Sequence, residues 1–161
     1  MIISHARPHD LAGILELEKV GFDAAEQWSE TAWADELAAH DRYVLARFDV
    51  NDSIIGVATF SRVAEMSDLN RVIVHPEFRG RGIGASLVRA GLEWASAVGA
   101  RRMLLEVESG NRGAETLYRT ANFVPIARRE DYYGPGSSAI IMELALDADE
   151  QPAGHDPWDV A

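Results

Sequence analysis

The sequence predicts an α/β or α+β domain, a mixed sheet carrying helices. Three observations lead there. Runs of strand length rich in β-branched and aromatic residues recur along the chain, among them Tyr43 to Phe48, Ser53 to Arg62, Met66 to Val74 and Arg102 to Val107. Segments with apolar residues at helical spacing lie before, between and after them. The order is a strand, two helices, a strand meander, then helices and strands in alternation with a closing strand pair. Antiparallel hairpins and a crossover therefore share one sheet. The 161 residues suit one domain with a sizeable core.

Taken in order, Ile2 and Ile3 begin a short strand that Arg7-Pro8-His9-Asp10 ends. Asp10 is placed to cap a helix whose apolar positions are Leu11, Ile14, Leu15 and Leu17. An acidic segment with two aromatics, Phe22 and Trp28, connects it to a second helix after Ser29, which turns Trp33, Leu37 and Ala38 inward. The two aromatics read as anchors of that connection. Tyr43 to Phe48 and Ser53 to Arg62 form a hairpin about Asp49-Val50-Asn51-Asp52, and Met66 to Val74 pairs next. A helix over Ile83 to Val98 turns Leu87, Ala90, Gly91, Trp94 and Val98 inward and stops at Gly99. Arg102 to Val107 is a strand. Asn111 to Ala121 is a helix with Ala114, Leu117, Tyr118 and Ala121 on one face. Phe123 to Ala127 is a strand, Tyr132 to Ser138 a loop, and Ala139 to Leu146 the last strand. Residues 147–161 hold two prolines, five acids and no Lys or Arg. That composition reads as a disordered tail, with Trp158 as a residue that could dock on a partner.

Composition narrows the function. A net charge of −11 makes the chain a poor candidate for nucleic-acid binding. There is no cysteine, which excludes disulfides and thiolate metal sites. The five histidines are scattered without H-x-x-x-H spacing, so the sequence makes no case for a metal. No apolar run approaches membrane-spanning length and the first residues lack a signal-peptide core, so a cytoplasmic protein without a membrane partner is expected.

The chemistry starts at His75 to Val88, H-P-E-F-R-G-R-G-I-G-A-S-L-V. An apolar run, Val72 to Val74, precedes it and a helix follows it, so it is a strand-to-helix turn. Gly80, Gly82 and Gly84 let backbone approach a ligand. The unpartnered N–H groups of the helix start, with the helix dipole, suit an anion, most naturally phosphate. Arg79 and Arg81 add forked donors. His75 reads as a turn residue before Pro76. A P-loop is excluded, because Gly84 is followed by Ala85-Ser86 and no lysine is near. A Rossmann fingerprint is excluded by the glycine spacing and by the preceding meander.

Arg79-Gly80-Arg81-Gly82-Ile83-Gly84 remains as R-x-x-G-x-G, and with V-I-V-H-P before it and L-Y-R-T-A-N-F after it the chain resembles the GNAT family of N-acetyltransferases over about residues 2–146. W-S-E, L-N-R-V-I-V-H-P-E-F-R-G-R-G-I-G, L-L-E-V-E-S-G-N and R-R-E-D-Y-Y-G are similar to the RimI type, whose members acetylate the N-terminal alanine of a small-subunit ribosomal protein. The resemblance implies a mixed, mostly antiparallel sheet of six to seven strands flanked by about four helices, over residues 1–146. It implies acetyl-CoA as donor, no metal, and a protein N-terminus as acceptor. By the same resemblance Val72, Ile73 and Val74 hold the donor by backbone contacts, Gly80 to Ala85 hold its pyrophosphate, and Asn111 touches it. Glu106 would be the general base and Tyr118 the general acid, with transfer direct and no acyl-enzyme. The Val74 N–H would hold the thioester oxygen. The chain departs from the pattern at Glu108, where arginine is common, and at Asn122, where glycine is.

Each assignment has a plainer alternative. Glu106, in M-L-L-E-V, also suits a salt bridge to a nearby arginine. By spacing alone Tyr118 is a core aromatic. Tyr132 and Tyr133 are loop anchors or walls around the acceptor's first residues, and Trp28 is a loop anchor or an acceptor contact. Glu108 shares a strand face with Glu106 and makes that face more acidic.

Overall fold

The computed structural model describes residues 2–146; the expected disordered tail, with Trp158, lies outside the described residues. Among the described residues there are seven strands and four helices. They are β1 (Ile2–His5), α1 (Leu11–Gly21), α2 (Glu30–Ala38), β2 (Arg42–Phe48), β3 (Ile54–Val63), β4 (Met66–Val74), α3 (Ile83–Ala97), β5 (Arg102–Glu108), α4 (Arg112–Thr120), β6 (Val124–Gly134) and β7 (Ser137–Ala145). The strands form one sheet in the order β1-β2-β3-β4-β5-β7-β6. β4 runs parallel to β5, whereas β1–β2, β2–β3, β5–β7 and β6–β7 are antiparallel. This is the mixed, mostly antiparallel sheet with four helices that the sequence led us to expect. No helix among the described residues is long and apolar enough to cross a membrane. Packing divides the chain into two compact units. One runs to Ser61 and takes in Asn70–Gly91; the other joins Arg62–Leu69 to the chain from Leu92 onward.

In the first unit Ile14, Leu17, Trp33, Val44, Val57 and Ile73 form a buried cluster. Burial of each large apolar side chain contributes about 1.5–3 kcal/mol. Phe22, Trp28, Leu11, Leu15 and Leu37 pack against it. Ser29 caps α2, its hydroxyl accepting from the Ala32 N–H at 3.1 Å. Asp10 does not cap α1. Its carboxylate accepts from the Arg7 N–H at 2.8 Å and closes the 3-10 turn Pro8–Asp10 instead. Ala38, expected inside, is exposed; of the last turn of α2 it is Leu37, four residues after Trp33, that packs on the core. At the β2–β3 turn Asp49 Oδ1 accepts from both the Asn51 and the Ser53 N–H, an Asx turn that fixes the hairpin.

The buried positions of α3 are Ile83, Leu87, Val88 and Ala95. Gly91 is buried as expected, but Ala90, Trp94 and Val98 are half-buried, so the inner stripe is rotated from the one read in the sequence. Gly91 explains the local fit. A Cβ there would stand 2.0 Å from Phe60 Cζ, so the helix meets that ring through a glycine.

In the second unit β5 pairs along its whole length with β7, from Arg102↔Ala145 to Glu108↔Ala139. Met103, Leu105, Val107, Ile140 and Met142 are buried. The strand expected over Phe123 to Ala127 is longer, and the loop expected over Tyr132 to Ser138 shorter, than the sequence suggests. β6 continues to Gly134, and only Pro135 and Gly136 lie between it and β7. Its pairing slips between Arg129 and Gly134, where Asp131 takes φ 53. That bulge, together with an exposed run from Ile126 to Tyr133, erases the alternation by which a strand is read.

Candidate active site

Two of the three glycines of the strand-to-helix turn take the backbone expected of them, while Gly84 lies within α3. Gly80 and Gly82 take φ 77 and 79, and a Cβ added at either would meet nothing within 4 Å. The turn is thus open where a side chain would stand at either position. The first α3 ladder bond runs from the Ser86 N–H to the Gly82 carbonyl at 3.0 Å. The N–H groups of Ile83, Gly84 and Ala85 come before it, at the positive end of the helix dipole. These features fit a pyrophosphate. His75 is a turn residue, its Nδ1 accepting from the Glu77 N–H at 3.1 Å. Arg79 folds back, its Nε donating to the Val74 carbonyl at 3.1 Å. The Arg81 guanidinium lies 5.1 Å over the Phe78 ring. Of the strand residues before the turn, Ile73 is buried in the core and Val72 and Val74 are half-buried.

The candidate acid–base residues lie in the second unit. Glu106 is exposed in the middle of β5, between buried Leu105 and Val107. Among the described residues its side chain makes no hydrogen bond or ion pair, so the expected alternative of an arginine partner is not met there. Glu108, two residues along, accepts a short hydrogen bond from the Ser137 hydroxyl. Tyr132 and Tyr133 are about half exposed and stack edge to face, centroids 5.2 Å apart. Burial, then the neighbouring Glu106 carboxylate, push the Tyr133 phenol up to about 12. Glu106, Glu108 and Tyr132 therefore all lie close enough to Tyr133 for their charges to act on it. Tyr118 is buried on the inner side of α4, edge-on to Phe123 at 6.1 Å. Asn111 is the N-cap of α4, its side chain accepting from the Ala114 N–H at 3.2 Å. Among the described residues no three His, Asp or Glu side chains converge to hold a metal. A cavity of about 510 Å³ in the first unit, lined by Gly13, Leu17, Phe48, Ile54 and His75 among others, holds none of these candidates.

One cluster was missed in the sequence. Glu18 of α1 is 1% exposed. It takes a fork from Arg71 of β4 at 2.8 and 2.6 Å and a hydrogen bond from Trp33 Nε1 at 2.8 Å. Arg71 in turn lies 3.8 Å from the Phe22 ring centroid and 4.9 Å from that of Trp28. The available signal was helical spacing, since Glu18 follows Leu11, Ile14 and Leu15 on the inward face. Trp28 is thus an anchor of its segment, packed 5.1 Å from Trp33.

The sequence profile of the acetyltransferase (GNAT) family matches residues 10–123. An uncharacterized protein of Mycobacterium leprae is 32% identical over 88% of this chain, and the aligned stretch spans 40% of that relative's length. The N-alpha-acetyltransferase RimI of Mycobacterium tuberculosis is 34% identical over 73% of this chain and 75% of its own. The crystal structure of the ribosomal-protein-S18-alanine N-acetyltransferase from Escherichia coli superposes with a TM-score of 0.81 over 96% of this chain and 97% of that one, at 23% identity, a likeness of fold.

Proposed function

The chain belongs to the acetyltransferase (GNAT) family, and from that premise we propose that it is a RimI-type Nα-acetyltransferase. It would move the acetyl group of acetyl-CoA to the N-terminal amine, alanine first, of a small-subunit ribosomal protein. The observation that carries this reading is Glu106, an exposed carboxylate without a cation partner among the described residues, beside two half-exposed tyrosines. The M. tuberculosis relative's name supports the Nα acceptor.

Acetyl-CoA would supply the acetyl group as a thioester. Gly80 to Ala85 would hold its pyrophosphate, and the backbone of Val72, Ile73 and Val74, with Asn111, its remaining length. The acceptor arrives mostly as an ammonium, since its reference pKa is near 8. Glu106 removes that proton through a water, which a carboxylate open to solvent can do. Tyr118 supplies a proton to the departing thiolate. Tyr132, Tyr133 and Trp28 would border the acceptor's first residues.

The test is a panel of amines with acetyl-CoA. It compares a peptide starting with alanine, the same peptide with a blocked N-terminus and an internal lysine, and polyamines. Acetylation of the free N-terminus alone is expected. Transfer only to the blocked lysine peptide or the polyamines overturns the Nα acceptor, and acetyl-CoA binding without any transfer points to an acyl-CoA-binding module.

A further inference from the structure

We propose that Arg71 is a positioning residue for the acceptor. Clasped by Glu18, it fixes the surface segment Gly21–Ser29 in the conformation that acceptor binding requires. This rests on the reading above, in which Trp28 borders the acceptor and Val72 to Val74 hold the donor.

The segment has little of its own to hold it. Residues 23–26 are exposed, and its internal bonds are Glu26 N–H to the Asp23 carbonyl at 2.9 Å and Gln27 Nε2 to the Phe22 carbonyl at 2.9 Å. Arg71 supplies what is missing. Its guanidinium faces the rings of Phe22 and Trp28, and Nη2 donates to the Glu26 carbonyl at 2.9 Å. One side chain therefore grips the start, middle and end of the segment. The grip is rigid because the guanidinium is held from below by Glu18, whose side chain is 2% exposed and itself fixed by Trp33.

A buried ion pair adds little net stability over apolar residues of the same size, because desolvation offsets its attraction. What the pair does provide here is geometry, since a planar fork admits one orientation of the ring stack above it. The anchor also lies on β4 directly before Val72, so the segment is registered to the strand proposed to hold the donor. A second arginine of the same stretch also reaches the segment's start, with Arg79 Nη2 3.5 Å from the Gly21 carbonyl.

The test uses the full chain and steady-state kinetics with the alanine-starting peptide. Arg71→Met alone leaves Glu18 buried and unpaired, so the double variant Glu18→Gln/Arg71→Met is measured beside it; there the uncharged amide at position 18 can still accept from Trp33. In the double variant the peptide KM is expected to rise about tenfold, the mark of lost acceptor binding, with the acetyl-CoA KM within about twofold of wild type. Arg71→Lys, which restores charge but not the planar fork, should fall between. Amide exchange should quicken at residues 22–29. An unchanged peptide KM in the double variant, or both KM values rising together, overturns the inference. Failure of the wild type on the peptide is a different result. It sinks the Nα reading, and the same KM split, read with whichever amine is accepted, then decides the role of Arg71.

Discussion

Each unit carries a carboxylate in apolar company, Glu18 on the face of α1 that holds Leu11, Ile14 and Leu15, Glu106 between Leu105 and Val107 in β5. Glu18 is almost fully buried, and its carboxylate accepts three hydrogen bonds from Arg71 and Trp33. Glu106 is exposed and makes no ion pair among the described residues. A helix that packs its inner stripe on a sheet must bury whatever occupies that stripe, so an acid there needs a partner. A strand with one open side can present an acid to water at no such cost. The same residue type is thus a structural member in one unit and a chemical group in the other.

The largest effect that separates them is on turnover. Glu106→Gln should lower kcat by about 10²–10⁴, the usual contribution of a positioned general base. Acetyl-CoA binding, followed by calorimetry, and the melting temperature should stay near wild type, because the group is on the surface. Full turnover at neutral pH in this variant would remove Glu106 from the chemistry. Glu18→Ala should do the reverse to stability. It strands a buried guanidinium, which costs about 3–5 kcal/mol, read as a fall in the urea midpoint. A cost below about 1 kcal/mol would mean that Arg71 finds water, as in an exposed pair, and the contrast between the two acids would lapse.

Local requirements were legible in the sequence and distant ones were not. The turn at Gly80 and Gly82 was readable because positive φ leaves a mark in the chain itself, a glycine. Helix α2 was readable from Ser29 for the same reason. Arg71 and Glu18 are 53 residues apart, and neither residue's neighbours announce the other. The β6–β7 hairpin was misread because a bulge at Asp131 and an exposed edge strand give no alternation, while Gly134-Pro135-Gly136 looks like a long loop when only two of its residues turn. Where Glu106 lies could be read, since strand alternation places it opposite buried Leu105 and Val107. Its lack of a cation partner among the described residues could not, since that depends on where arginines elsewhere in the chain point.

The smallest effect tests the surroundings of Glu106 from the side of Tyr133. The phenol is raised from the ordinary 10.0 to about 12, first by burial and then by the Glu106 charge. In an ultraviolet titration of the four tyrosines a late step near pH 12 should appear, and Tyr133→Phe should remove it. The sign for stability follows. As pH climbs from about 10 toward about 12, the folded chain keeps a proton that the unfolded chain has lost, so the contribution is complete below the lower value and disappears through the upper. Glu106→Gln should move the step down without returning it to 10.0, because burial, the larger cause, remains. If Tyr133→Phe removes no late step, because Tyr133 ionises near the ordinary 10.0, the hairpin does not shelter it. Glu106 would then stand on an open strand with no neighbour to shape an acceptor site, and its contrast with Glu18 would be one of exposure alone.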